Sequence, residues 1–374
     1  MPWTGLMYNF DGKVKNCIRS AGSIGNIQNQ SIQDILHGEK NLQTQQLMLD
    51  HQPGQDCYTC YELENNKPGF DIISDRVFYL RELKRLPMTT YQPGHHDLHT
   101  IDVRWTNLCN FSCVYCSPEF SSRWAAELGI KTAEPTDQQR EDFKSYIFEH
   151  AAQLKHVYLA GGEPLLIKEN IELLDLLDPE VNLRINTNLS KVDTRIFEKI
   201  CGFKNVHWTV SVETQTQEFE YIRYGGRWSD FLDNLDTIAN LGHKITFNML
   251  HFLLNYLSIF DCVDFLQHRG FHANSFVIGA LLTPDYLNIR HLPDHVLQSV
   301  KSELQSRINQ APGYLLEDSY KNMLRYIDQP LDRDLPRSMA KLAQLDQRRG
   351  LDSSKIFPEL YKLFNQGNYH GQTI

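Results

Sequence analysis

Between residue 100 and about residue 290, short apolar runs alternate with longer segments whose apolar positions recur every three to four residues. The runs at 101–105, 156–159, 182–186, 206–212, 244–250 and 275–278 predict strands. The stretches at 136–154, 170–177, 193–200, 229–241 and 257–268 predict the helices between them. Such alternation reads as βαβ units around a parallel sheet. In sheets of this kind, reactive groups collect at the C-terminal ends of the strands.

The flanks are patterned differently. Residues 1–68 form a small module punctuated by Gly and Asn, in which runs at 6–10 and 13–18 flank Asp11-Gly12 and predict a hairpin. Ser31 is placed to cap a helix over 31–36. Residues 69–99 read as a connector, with a basic helical segment (Arg76, Arg81, Lys84, Arg85) that ends at Pro87 and presents a solvated face. The loop histidines His95, His96 and His99 are expected to face solvent and receive no role. Beyond Leu281, the Thr283-Pro284 and Leu292-Pro293 steps break the alternation, and helices follow through Tyr361 as a C-terminal extension over 291–374.

Composition narrows the classes. A chain of 374 residues with 41% hydrophobic content supports a main domain with appendages. A formal charge of −9 argues against a general binder of nucleic acid or membrane surfaces, while leaving room for a local basic pocket. The most apolar stretch, 251–266, is interrupted by Asn255, Asp261 and Asp264, and is too polar to span a bilayer. The opening Met-Pro-Trp-Thr does not read as a secretory signal. The expectation is a soluble cytoplasmic protein, in which clustered cysteines are metal or cluster ligands rather than disulfides.

The clearest cluster is Cys109-Asn-Phe-Ser-Cys113-Val-Tyr-Cys116, on the loop that leaves the first main strand. Three thiolates at this spacing can converge on one iron-sulfur cluster and leave one iron open, whereas structural zinc and complete cluster ligation normally take four ligands. Three unrelated buried cysteines would be the plain alternative. Cys201 and Cys262 lie in apolar helical stretches with no partner spacing and read as core residues. Cys57-Tyr-Thr-Cys60, with Cys17 before it, fits a zinc knuckle, a metal-free core or a cluster site.

CNFSCVYC resembles the CxxxCxΦC signature of the radical S-adenosylmethionine (radical SAM) superfamily, with Tyr115 at the aromatic position. The resemblance implies a partial (β/α)6 barrel over 100–290 and a 4Fe-4S cluster on Cys109, Cys113 and Cys116. It further implies reductive cleavage of SAM to a 5'-deoxyadenosyl radical, with the hard chemistry supplied by the cofactors. Ala160-Gly161-Gly162-Glu163-Pro164 matches the family's GGEP step and assigns Gly161, Gly162 and Glu163 to the methionine end of SAM; alone it would read as a Gly-Gly turn with an exposed acid. Asn186-Thr187-Asn188 is similar to the Thr-Asn-Gly step, with Leu189 in place of Gly, and Asn and Thr also simply end strands well. Ser211-Val212-Glu213 resembles Ser-Ile-Asp, which implies ribose or carboxylate contacts for Ser211 and Glu213. Arg223, in a Tyr-Ile-Arg segment, would lie near the SAM carboxylate or stand on the surface over a Tyr. Asn248 is a further hydrogen-bonding candidate.

The N-terminal order Pro2-Trp3-Thr4, Gly12-xxxx-Cys17, Gly25-Asn26-Ile27 and Cys57-xx-Cys60 resembles the SPASM/twitch auxiliary-cluster module of the same superfamily. That implies a second 4Fe-4S cluster on Cys17, Cys57 and Cys60. Two departures stand out: the module precedes the barrel, and Met1 occupies the place where relatives often carry a further Cys. The fourth position is then vacant, open to substrate, or filled from the barrel. The implied substrate is a small molecule or a peptide, and the implied electron source is a partner such as flavodoxin or ferredoxin. A non-catalytic iron-sulfur carrier or scaffold is the alternative from a different class.

Overall fold

A computed structural model describes residues 1–65, 74, 76–77, 81, 91–310 and 312–366. It is an α/β fold with a largely parallel sheet, a small N-terminal module and C-terminal helices. By internal contacts the chain forms two compact units: Met1–Cys109, Pro118–Asn186 and Asp193–His207; and Asn110–Ser117, Thr187–Val192 and Trp208–Ile374.

In the first unit the strands run in the order β3 (Gly25–Asn26), β2 (Lys13–Lys15), β1 (Gly5–Tyr8), β4 (Thr100–Val103), β5 (His156–Leu159), β6 (Asn182–Thr187). The expected hairpin is present, with β1 and β2 antiparallel. Less expected is its other edge, since β1 pairs in parallel with β4, Leu6 opposite Ile101 and Tyr8 opposite Val103. The hairpin thereby continues the sheet that β4, β5 and β6 build in parallel.

Alternation along these strands separates two faces. Leu6, Ile101, Val157 and Leu183 form one apolar row, and Tyr8, Val103, Leu159 and Ile185 the next, each at most 1% exposed. Over them lies the helix Asp137–Glu149, started by a capping box between Thr136 and Gln139, whose Phe143 stacks on Tyr8 at 4.4 Å. Burying each such side chain is worth about 1.5–3 kcal/mol.

The second unit holds the end of β7 (Asn205–Ser211) together with β8 (Lys244–His251) and β9 (Phe276–Ala280), the last two parallel with Phe247 opposite Phe276. The helix Trp228–Ala239 buries Phe231, Leu235 and Ile238 at the spacing of one helical face. The helix Leu335–Arg349 is opened by Asp334, whose side chain caps Arg337 N, and closed by Gly350 in the left-handed conformation. Among the described residues, no helix is long and apolar enough to cross a membrane.

Three expectations change. Cys201 is exposed, because it caps the C-terminal end of the helix Arg195–Ile200 instead of lying within it; Cys262 is buried as expected. His99 is buried, its ring nitrogens meeting Asp97 at 3.0 Å and the Gln153 carbonyl at 3.1 Å. Burial also pushes the neighbouring His96 down to about 3. In the connector, Arg76 and Arg81 are helical, while Lys84, Arg85 and Pro87 lie outside the described residues.

Candidate functional site

Cys17, Cys57 and Cys60 sit together in the first unit. Cys17 lies two residues beyond β2, Cys57 ends a short 3-10 turn, and Cys60 lies in the following helix Tyr58–Asn65. The two stretches are joined by a hydrogen bond from Ala21 N to the Asp56 carbonyl at 3.0 Å. Gly22 packs so closely that an added Cβ would come within 2.6 Å of the Asp56 carboxylate. Burial pushes the Cys17 thiol up to about 11, with Cys57 and Cys60 near enough to add to it. Cys57 is raised by burial and then by Cys60. Thiols that resist ionisation together become thiolates readily once a cationic centre is bound among them, and this donor set fits such a group. Met1 is close by: its buried amino group, lowered to about 6, feels Cys17 and Cys57.

Gly161, Gly162 and Glu163 follow β5, as the sequence anticipates, but the glycines serve the protein's own backbone. A Cβ on Gly162 would stand 2.2 Å from the Leu108 carbonyl oxygen, and one on Gly161, at φ +118°, would stand 3.0 Å from the Thr106 carbonyl oxygen. Glu163 N donates to Leu108 O at 2.7 Å. Its buried carboxylate accepts from Leu165 N at 3.1 Å and caps the turn that follows. Leu108 precedes Cys109, so the Gly-Gly-Glu step fixes the entry to the cysteine loop. Cys109 N donates to Ser122 Oγ at 3.1 Å.

Asn110 to Ser117, with Cys113 buried and Cys116 half-buried, belongs to the second unit. Backbone bonds run from Ser112 N to Tyr224 O at 2.9 Å and from Val114 N to Ile222 O at 2.8 Å. Asn110 meets the end of β6 by accepting from Asn188 Nδ2 at 3.1 Å and donating to Ser190 Oγ at 2.9 Å. Between those two residues Leu189 is wholly buried with φ +55°, a conformation costing a non-glycine residue roughly 1–2 kcal/mol.

Tyr115 donates to Glu213 Oε1 at 3.0 Å, and Glu213 takes both prongs of Arg223, Nε and Nη2, at 2.7 Å. Side-chain exposure is 1% for Glu213 and 3% for Arg223. Burial keeps the Tyr115 hydroxyl protonated far above its usual range. Asn255 Nδ2 adds a bond to the Glu213 carbonyl at 3.1 Å. The acid and base expected at SAM therefore face each other behind the cysteine loop. Asn186 and Ser211 lie half-buried near the ends of β6 and β7, and Asn248 lies exposed on β8.

Sequence reasoning passed over two residues that hold this loop. Arg349, in the last turn of the helix Leu335–Arg349, donates to the Ser112 carbonyl at 2.8 Å, with its guanidinium 4.4 Å over the Tyr224 ring. No local pattern announces a contact spanning 237 positions. Asn110 was within view, as a variable position inside the cysteine motif. Among the described residues, no three His, Cys, Asp or Glu gather tightly enough to hold a single metal ion; the thiolates of a cubane cluster stand farther apart than the ligands of one ion.

Comparison with known proteins gives two family matches. Residues 103–266 match the Radical SAM superfamily, and residues 1–61 match SPASM, an iron-sulfur cluster-binding domain. GTP 3',8-cyclase of Campylobacter lari is 23% identical over 235 residues, covering 58% of this chain and 68% of the relative. 7-Carboxy-7-deazaguanine synthase of Clostridium acetobutylicum is 35% identical over 97 residues, covering 26% and 39%. Among solved structures, native anSMEcpe with bound AdoMet aligns at 14% identity and a TM-score of 0.41, over 56% of this chain and 59% of that one. This chain thus spans about three fifths of that solved relative.

Proposed function

Since the chain belongs to the radical SAM superfamily and carries a SPASM iron-sulfur domain ahead of the barrel, we propose that it cleaves SAM reductively and abstracts hydrogen from a small-molecule or peptide substrate. What supports this reading is the match over 103–266, which contains both the cysteine triplet and, one strand later, the GGEP step. The SAM-cleaving 4Fe-4S cluster is assigned to Cys109, Cys113 and Cys116, and an auxiliary 4Fe-4S cluster to Cys17, Cys57 and Cys60. When bound, the first cluster and SAM supply the electron and the 5'-deoxyadenosyl radical.

The chain's own groups aim and hold. Gly161, Gly162 and Glu163 present backbone to the methionine end of SAM while fixing Leu108 beside Cys109. Asn186 and Ser211, near strand ends, offer hydrogen bonds to cofactor or substrate. Glu213 and Arg223 act through Tyr115, keeping the loop in place, and need not touch SAM. Low-potential electrons would come from a flavodoxin or ferredoxin. The curated relatives are named for reactions of small molecules, which favours that substrate class here.

The test compares anaerobically reconstituted wild type with a variant in which Cys109, Cys113 and Cys116 are all Ala. Wild type should hold about eight irons and the variant about four, and only wild type should release 5'-deoxyadenosine from SAM under reduction. Iron without 5'-deoxyadenosine would replace this reading with a non-catalytic electron carrier or scaffold. Zinc in a colourless protein would replace both.

A further inference from the structure

The C-terminal helices supply no cysteine, yet one turn of them reaches the cysteine loop. In the helix Leu335–Arg349 the buried stripe runs through Leu335, Met339, Leu342 and Leu345. Asp346 and Arg349 stand four and seven residues after Leu342, so they continue that stripe with polar groups. The start of the helix is fixed separately, by Asp334 N donating to His291 Nδ1 at 3.0 Å and Arg337 Nη1 donating to Asp285 Oδ2 at 3.3 Å. A change in the last turn therefore leaves the helix anchored.

That last turn grips the segment 221–224 and the cysteine loop together. Tyr221 donates to Asp346 Oδ1 at 2.8 Å, and Asp346 Oδ2 accepts from Ser353 N at 2.8 Å. Arg349 lays its guanidinium over the Tyr224 ring and donates through Nη2 to the Ser112 carbonyl at 2.8 Å. From the other side, Ser112 N donates to Tyr224 O and Val114 N to Ile222 O. Ser112 is thus held at its N–H and at its carbonyl, and that carbonyl belongs to the peptide whose nitrogen is that of Cys113. The chain has only two soft torsions per residue, so holding both groups of Ser112 leaves Cys113 little room to wander. A charged donor makes a hydrogen bond roughly twice as strong as a neutral one, and the Tyr224 ring keeps this donor aimed.

We propose that Arg349 is a positioning residue for the SAM-cleaving centre, fixing from the C-terminal extension the Ser112–Cys113 peptide and with it the way Cys113 presents its sulfur. Working sites need their groups held within about 0.5 Å, and a loop anchored at one side of Ser112 alone would exceed that. The role rests on the radical SAM reading above, and it makes the C-terminal extension part of the working centre.

The test uses full-length, anaerobically reconstituted protein, with every value expressed per loop cluster. The loop cluster's electron paramagnetic resonance spectrum is obtained by subtracting that of the variant with Cys109, Cys113 and Cys116 all changed to Ala. Arg349→Met should alter that spectrum, need at least tenfold more SAM to produce the SAM-dependent change, and release 5'-deoxyadenosine at least tenfold more slowly. Arg349→Lys should fall between, because it keeps a donor and loses the flat stack on Tyr224. Arg348→Gln, at the exposed neighbouring position, should match wild type. A residue serving fold stability alone would lower the yield of loaded protein and leave the spectrum and SAM requirement per cluster unchanged; that result in Arg349→Met overturns the proposal. So does Arg349→Lys no better than Arg349→Met, or an equal loss in Arg348→Gln. Where Arg349→Met does not fold, Arg349→Lys decides, and a wild-type spectrum and SAM requirement there overturn the proposal. If wild type itself neither responds to SAM nor releases 5'-deoxyadenosine, the radical SAM reading fails, while an altered loop-cluster spectrum in Arg349→Met still sustains the hold on Cys113.

Discussion

The two cysteine trios reach similar ends by different construction. Cys109, Cys113 and Cys116 lie within eight consecutive positions, so proximity is already built into the chain, and the structure's task is to fix the loop's path. From Asn110 onward it adds to the backbone bonds of Ser112 and Val114 a set of side chains that the other trio lacks in this form, above all the buried Tyr115, Glu213 and Arg223 group. Cys17, Cys57 and Cys60 are gathered across 43 positions, and the ties that bring them together are backbone contacts and close glycine packing. A trio that is local in sequence can rely on charge for its fine placement; a dispersed one depends on the fold around it being intact.

The strongest way to break this contrast is Arg223→Met. Removing one partner leaves Glu213 buried and unpaired, which should cost about 3–5 kcal/mol, read as a shift in the urea midpoint. Iron retained on Cys17, Cys57 and Cys60 in the folded fraction would sharpen the contrast. A loss below about 1 kcal/mol would show that this pair is as dispensable as a surface bridge.

Gly162→Ala comes next. Its Cβ meets a carbonyl oxygen of the main chain, which cannot rotate aside, so about 1–3 kcal/mol of overpacking is expected, along with lower iron content at Cys109, Cys113 and Cys116. Gly22→Ala is the smallest change. There the obstacle is the end of the Asp56 side chain, which can swing away, and thermal denaturation should record a cost of about 1 kcal/mol or less. Reversal of that order would mean that the N-terminal ties, not the cysteine loop, are the less forgiving.

Much of this was legible beforehand because it is local. The strand runs at 156–159 and 244–250 reappear as β5 (His156–Leu159) and β8 (Lys244–His251), and the Ser31 cap is realised as a capping box with Asp34. What stayed hidden is set by tertiary pairing. The match of β1 to β4 joins residues about 95 positions apart, and nothing in either strand names its partner. Motif reading places Glu213 and Arg223 near a cofactor, and sequence carries no sign that the two also pair with one another. Leu189 shows the same limit in reverse: the sequence displays a Leu, which disfavours positive φ, and only the structure shows that the backbone there is left-handed with the Leu side chain buried.

The pairing of β1 with β4 also orders events during synthesis. The hairpin partners β2 and β3 leave the ribosome within about 20 residues of β1, but β4 ends only at Val103. Until then the nascent chain carries a small three-stranded ribbon whose β1 edge is open, and so small a sheet has little stability by itself. An open edge of that kind is a template for pairing with the wrong chain. A pause in synthesis before β4 has emerged would prolong that exposure, so translation speed over the stretch between β1 and β4 becomes a determinant of how much protein reaches the native state.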